Sequence, residues 1–127
     1  MVVFRAFLCS VILAASSASY GAYYRGGALL PLKTLSTGSE FVCRTGTTPN
    51  DRRGVSLYND ANKIPAAYRT PLNLVGSLNT TRLAIEQRAT DLSHYEIVPV
   101  LAECNGTTKM TQATYESLLK GVTLTAQ

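Results

Sequence analysis

One histidine and a carboxylate two residues further along are the best candidates for chemistry in this sequence. His94 is the single histidine of the 127-residue chain, and Glu96 follows it within an apolar stretch, residues 93–102. Residues two apart on a β-strand share a face. The two side chains are therefore candidate catalytic residues, an acid/base pair for phosphodiester or glycosyl chemistry.

The stretch that carries this pair is the best strand candidate in the chain. Apolar residues fall on both faces of residues 93–102, which predicts a central and largely buried strand. A carboxylate inside such a strand must be paired, protonated or part of a site. The alternative to catalysis is a rim histidine beside a solvated or salt-bridged glutamate, with three candidate partners: Arg69, Arg82 and Arg88.

The sequence does not contain the motifs of zinc sites, catalytic triads or phosphate-binding loops. The cysteines stand at positions 9, 43 and 104, and with one histidine they form none of the zinc-binding spacings. We therefore predict no metal site, and we expect the protein to act without a cofactor. A serine or cysteine triad is not supported, and no glycine-rich segment has the spacing of a phosphate-binding loop.

The first 19 residues have the pattern of a secretory signal peptide. A short basic start precedes an apolar run over residues 6–15, which is too short to span a bilayer, and small residues follow. We expect the mature protein to be secreted, extracellular, free of the membrane and monomeric. Residues 20–39 are predicted to be a flexible N-terminal arm, and residues 40–127 a single α+β domain.

Two cysteines, Cys43 and Cys104, remain after removal of that leader. In an oxidising secretory route two cysteines are expected to pair, with two unpaired thiols as the alternative. The long loop that this disulfide closes would stabilise the fold by about 4 kcal/mol in the chain-entropy model.

Two Asn-x-Thr sequons, at Asn79 and Asn105, are candidate glycosylation sites in a eukaryotic host. The formal net charge of +4 is spread along the chain, with Arg52 and Arg53 as the only basic doublet. A mild excess of this kind is compatible with partners that carry phosphate, but it does not predict one.

The remaining patterns predict an α+β fold, with one main helix packed on a small antiparallel sheet. Thr48, Pro49 and Asp51 favour a helix start, so the main helix is predicted over residues 49–62 and a second one over residues 82–91. Residues 109–119 are ambiguous between strand and helix. The other predicted strands are residues 40–44, 72–78 and 121–125, and the Asn105-Gly106 pair favours a hairpin turn.

Three segments of this sequence resemble, in order, the fungal guanyl-specific ribonucleases and their secreted relatives among plant-pathogen effectors. Residues 41–43 (FVC) resemble an aromatic-x-Cys start, residues 95–101 (YEIVPVL) resemble a Tyr-Glu-x-Pro-Ile-Leu strand, and residues 119–125 (LKGVTLT) resemble a late Leu-x-Gly-Val-x-x-Thr strand. Residues 47–62 then fall where that family has its helix. The resemblance implies a ribonuclease-like fold.

The same resemblance implies roles for particular residues. Glu96 takes the place of the catalytic carboxylate, Lys109 falls near the phosphate-binding arginine, and Tyr68 matches the loop tyrosine. The family's histidine general acid falls at Leu124 or Thr125, neither of which transfers a proton near neutral pH. The resemblance therefore implies a catalytically inactive virulence effector that binds RNA or a host protein, acting outside the cell or after delivery into a host cell.

A second resemblance is to the enterotoxin-type ADP-ribosyltransferases. Residues 41–49 are similar to the arginine-bearing opening of that family, residues 75–80 to its Ser-Thr-Ser strand, and Glu116 to its glutamate before a glycine. This likeness implies a small toxin that uses NAD, with Arg44 holding the dinucleotide, Ser77 ordering the site and Glu116 stabilising the oxocarbenium ion. A third possibility is a secreted binding domain whose partner neither family explains.

Overall fold

The protein is described by a computed structural model that covers residues 22–36, 38–88 and 90–127. The predicted signal peptide, residues 1–19, lies outside the described residues. Ten strands, two helices and three one-turn 3₁₀ segments make up the described chain. The strands are β1 Tyr24–Gly26, β2 Thr34–Leu35, β3 Gly38–Ser39, β4 Val42–Cys43, β5 Arg52–Arg53, β6 Ser56–Tyr58, β7 Leu72–Val75, β8 Leu83–Arg88, β9 Asp91–Pro99 and β10 Leu124–Ala126. The helices are α1 Leu101–Asn105 and α2 Gln112–Lys120.

Six strands form one antiparallel sheet in the order β10-β7-β1-β6-β9-β8. Strands β2 and β3 pair separately, as do β4 and β5. The longest strand is β9, which pairs with β6 on one side and β8 on the other. The prediction of a buried central strand is confirmed as far as Pro99, after which the chain enters α1.

The core lies between this sheet and α2. Tyr115 and Leu119 of α2 are buried against Leu57 and Ile97 of the sheet. The Tyr115 hydroxyl donates a hydrogen bond to the carbonyl oxygen of Ile97 (2.6 Å) and accepts one from the amide of Val55 (2.9 Å). Burial raises the pKa of Tyr115, so this phenol stays neutral and fixes the helix to two neighbouring strands.

The predicted main helix over residues 49–62 is wrong. Its start is real, because Thr48 and Asp51 form a capping box around Pro49. The helix lasts only one 3₁₀ turn, Pro49–Asp51. The next residues pair as β5 with β4 and as β6 with β1 and β9, since strand pairing satisfies their backbone groups and buries Leu57.

The second predicted helix, over residues 82–91, is also wrong. Residues Leu83–Arg88 form the edge strand β8, and the strand that follows begins at Asp91. Leu83 and Ile85 alternate with more polar residues, and in the sheet they lie opposite Pro99 and Ile97. Partners on β9 therefore override a composition that suits a helix. Ala89, which falls within this predicted helix, lies outside the described residues.

The predicted flexible arm, residues 20–39, contains an inner strand. Tyr24–Gly26 pairs with both β6 and β7, and Arg25 is buried. Residues 72–78 and 121–125 do contribute strands, β7 and β10. The expected hairpin at Asn105-Gly106 is wrong, because Gly106 is the residue after α1 and the ambiguous segment that follows forms α2.

The predicted disulfide is present and joins Cys43 of β4 to Cys104 of α1. It links two parts of the chain that are 61 residues apart.

The six-stranded antiparallel sheet and the two helices confirm the coarse prediction of an α+β fold. The helix that packs on the sheet is Gln112–Lys120, and it comes late in the chain.

Candidate functional site: a basic groove beside a buried carboxylate

Sheet register brings four polar or aromatic side chains together on one face. Ser56 lies opposite Glu96, and Tyr58 lies opposite His94. Because side chains alternate along a strand, all four point to the same side of the sheet. The face that carries Leu57 and Ile97 packs against the helix, so these four residues occupy the opposite face.

Glu96 is the buried carboxylate at the centre of this face, with 2% of its surface exposed. Arg53 donates from Nε to Oε1 (3.1 Å) and from Nη2 to Oε2 (3.0 Å). The Gly54 amide donates to Oε1 (3.1 Å), and Arg88 Nε lies 3.7 Å from Oε2. Two arginines and a backbone amide thus satisfy a carboxylate that would otherwise be costly to bury.

Of the three arginines considered as partners of Glu96 from the sequence, one is found there. Arg88 contacts Glu96, whereas Arg82 pairs with Glu103 and Arg69 donates to the Ile64 carbonyl oxygen. The principal partner, Arg53, was noted in the sequence only as half of a basic doublet. Its carboxylate partner is 43 residues away, so no local pattern signals the pair.

His94 faces Ser56 and Glu96 through the same ring nitrogen. Its Nε2 lies 2.8 Å from Ser56 Oγ and 3.8 Å from Glu96 Oε2, and its ring stacks on Tyr58. A nucleophilic triad needs the carboxylate on the other ring nitrogen, so this arrangement does not supply an activated serine. Burial lowers the pKa of His94, opposed by the charges of Glu96 and Asp91, and the imidazole is neutral at neutral pH.

Three cavities lie in a row beside these residues. The first, about 460 Å³, is lined by Arg53, Arg88 and His94, and the second, about 250 Å³, shares Arg53 with it. The third, about 400 Å³, shares Lys33 and Ser56 with the second. We call this row the basic groove. Its side chains include four cations, two carboxylates and three rings: Arg25, Lys33, Arg53, Arg88, Glu40, Glu96, Tyr58, Tyr68 and His94.

The other two residues implicated by the ribonuclease resemblance, Tyr68 and Lys109, lie in different parts of the structure. Tyr68 lines the third cavity and is 65% exposed, in a 3₁₀ turn after the β6 strand. Lys109 is exposed in the segment between the two helices and lines none of the three cavities. The groove therefore contains Glu96, His94 and Tyr68 of the predicted set, and Lys33 rather than Lys109.

The residues of the alternative NAD site each have a different local partner. Arg44 pairs with Asp51, the Ser77 amide donates to Thr123 Oγ1, and Glu116 accepts from Gln112. Within the described residues no hydrogen bond or ion pair joins Arg44, Ser77 and Glu116 to one another. This arrangement gives no specific support to NAD binding.

The two sequons differ in how their side chains are used. Asn79 is exposed, and its Oδ1 accepts from the amide and the hydroxyl of Thr81. The Asn105 side chain bridges to Gly46 in both directions and also donates to the Leu101 carbonyl oxygen. A glycan on Asn105 would replace a side-chain amide hydrogen that donates to Gly46 or Leu101, whereas the Asn79 side chain uses only its oxygen in the hydrogen bonds described.

The described part of the chain contains neither a candidate metal site nor a candidate membrane-spanning helix. Residues 22–36, 38–88 and 90–127 contain no cluster of three histidine, cysteine or carboxylate side chains that could hold a metal ion. In the same residues no helix has the length and apolar character needed to cross a membrane.

Comparison with known proteins found no matching family model, no similar curated protein and no similar solved structure.

Proposed function

We propose that this protein binds single-stranded RNA along the basic groove without cleaving it. The proposal rests on the row of cavities, in which four cations outnumber two carboxylates and exposed or half-buried rings line the two outer cavities. Proteins that bind single strands combine a positive groove for the phosphates with aromatic side chains for the bases. Lys33 and Tyr68 are the most accessible members of each kind.

The state of Glu96 supports binding rather than catalysis. A ribonuclease of the acid/base type needs one group to take a proton from the ribose hydroxyl and another to give one to the leaving oxygen. Both oxygens of Glu96 already accept hydrogen bonds from Arg53, and the residue is almost completely buried. His94 is the single histidine of the chain, so the pair of groups is incomplete.

Secretion and an effector role form part of the same proposal. The pattern of residues 1–19 supports export, and the Cys43–Cys104 disulfide suits an oxidising route. Expression in a secreting host should yield protein in the medium whose intact mass lacks the leader. Retention of residues 1–19 in that mass would contradict the export proposal.

The binding proposal is tested with a fluorescent single-stranded RNA of about 12 nucleotides, long enough to fill one binding surface. Lys33→Ala should weaken binding and lower the slope of log affinity against log salt by about one. Tyr68→Ala should weaken binding about fivefold or more, because each base stacked on a ring contributes about 1–3 kcal/mol. The matched control is Lys120→Ala, an exposed lysine at the end of α2.

The control should bind RNA as the unaltered protein does. Both groove residues are exposed, so circular dichroism and thermal melting should show that the variants remain folded. If Lys33→Ala, Tyr68→Ala and Lys120→Ala all bind alike, RNA does not lie in this groove.

A further inference from the structure

Arg25 is a buried cation that forms no ion pair with a carboxylate of the described residues. It lies on the inner strand β1 and is 8% exposed. Among the described residues no carboxylate oxygen lies within 4.0 Å of its guanidinium. Buried charges in proteins are normally paired, because an unpaired one loses its hydration without compensation. An anion from outside the chain would complete this arrangement.

The guanidinium is held in place by backbone oxygens. Its Nε donates to the Ala28 carbonyl (3.0 Å) and its Nη1 to the Ser56 carbonyl (2.9 Å). Nη2 donates to no described residue. It is also not a buried atom, because Arg52 Nε alone is buried without a partner among the described residues, so Nη2 is accessible from outside. Burial lowers the pKa of Arg25 and the charge of Glu40 opposes this shift, yet the group remains charged near neutral pH. A fixed donor is thus left for a ligand.

The third cavity of the basic groove, which Arg25 lines, has the size and walls for a ring attached to an anion. Its volume is about 400 Å³, and Tyr58, Tyr68 and Lys33 also line it. The Lys33 ammonium lies 5.9 Å from the centre of the Tyr68 ring. A Cβ added at Gly26 would overlap the carbonyl oxygen of Tyr68, so the tyrosine-bearing turn is packed closely on β1. The wall is therefore preformed.

We propose that the Arg25 cavity binds a terminal phosphate monoester attached to a nucleoside, either a mononucleotide or the 5′-phosphorylated end of an RNA strand. A monoester carries close to two negative charges and three acceptor oxygens near neutral pH, which suits Arg25 and Lys33 together. The Arg25 residue is only 8% exposed, so a chain end can reach its guanidinium more readily than an internal phosphodiester can. Tyr58 and Tyr68 provide rings for the base. For the RNA end, this inference rests on the proposed function.

The test is calorimetric titration with adenosine 5′-monophosphate and adenosine, beside fluorescence titration with one short RNA that carries either a 5′-phosphate or a 5′-hydroxyl. We expect the monophosphate to bind at least about tenfold more tightly than adenosine, and the phosphorylated RNA about tenfold more tightly than the hydroxyl form. Arg25→Gln should remove both preferences. If that variant does not fold, Lys33→Gln at the exposed rim should reduce both, and Lys120→Gln should leave both unchanged.

The outcomes separate this inference from the proposed function. Equal binding of the two RNAs, together with no preference for the monophosphate, overturns the inference while groove binding of RNA stands. Binding of the monophosphate without binding of either RNA supports the cavity and overturns the RNA proposal. Preferences that persist in both Arg25→Gln and Lys33→Gln also overturn the inference, because the phosphate is then bound elsewhere.

Discussion

Arg53 and Glu96 form a two-point ion pair in which both carboxylate oxygens accept from one guanidinium, at 3.1 and 3.0 Å. Glu96 is 2% exposed, whereas the Arg53 side chain is 39% exposed and lines two neighbouring cavities. The pair therefore connects the inside of the sheet to the basic groove. It fixes Arg53 where a phosphate could reach its outer edge, and it occupies the carboxylate that a ribonuclease would need as a base.

Removal of the Glu96 charge should destabilise the fold. Glu96→Gln keeps the size of the side chain but leaves Arg88, which is largely buried, without its counter-charge. We expect a loss of about 3 kcal/mol in the free energy of unfolding, in the range for broken buried pairs and discounted for the exposure of Arg53. Urea denaturation measures it. Glu103→Gln, which breaks the more exposed two-point pair with Arg82, is the control and should have a much smaller effect. Equal losses would contradict a buried role for Glu96.

The stability of the protein should depend on pH through His94. Burial lowers the pKa of His94 below 6.5, so the unfolded chain takes up the proton more readily than the folded chain. The contribution of His94 to stability is therefore present above 6.5 and falls as the pH drops from 6.5 towards the lower folded value. Relative to His94→Gln, the unaltered protein should lose stability across this window in urea denaturation. A relative gain on acidification would show that the charges of Glu96 and Asp91 outweigh burial.

Gly54 should tolerate no side chain. A Cβ at this position would overlap the Ile97 carbonyl oxygen and the Tyr115 hydroxyl, and the Gly54 amide donates to Glu96. Gly54→Ala should therefore reduce the free energy of unfolding by about 2 kcal/mol or more, as expected for overpacking against backbone. Gly106→Ala is the matched control, because a Cβ there meets nothing closer than 3.7 Å. Thermal melts of the two variants that coincide would argue against this packing.

The disulfide should stabilise the fold through the unfolded chain. Cys43 and Cys104 close a loop with a sequence separation of 61, for which the chain-entropy model gives about 4 kcal/mol. The variant with serine at both positions should show a correspondingly lower urea midpoint. Mass spectrometry of unreduced protein should find neither thiol alkylated. Alkylation of both cysteines without a reductant would mean that the protein does not form this bond.

The sequence predicted correctly those features that depend on one strong physical constraint. Apolar residues on both faces predicted β9, and Cys43 and Cys104 predicted their bond. Both signals reflect strong constraints, burial in the first case and oxidation in the second. The capping box at Thr48 and Asp51 was also real, yet it begins only one turn, because pairing of the following residues with distant strands is more favourable than continuing the helix.

The composition of the groove could not be predicted because its residues come from distant parts of the chain. Arg25 was assigned to a flexible arm, and Arg53 meets Glu96 across 43 residues. The alternation of Ser56, Leu57 and Tyr58 was the one local signal available for β6. His94 and Glu96 were found through their types and spacing, but their partners depend on register, which a single sequence does not state.

Two properties are proposed together: the basic groove holds RNA, and its buried carboxylate is unable to act as a base. One sample tests both halves: labelled single-stranded RNA is incubated with excess protein, and the mixture is divided between a native gel and a denaturing gel. We expect a retarded complex on the native gel, weakened by Tyr68→Ala, and full-length RNA on the denaturing gel. Cleavage that disappears in His94→Gln would show that the site is catalytic, and the absence of any complex would show that the groove does not hold RNA.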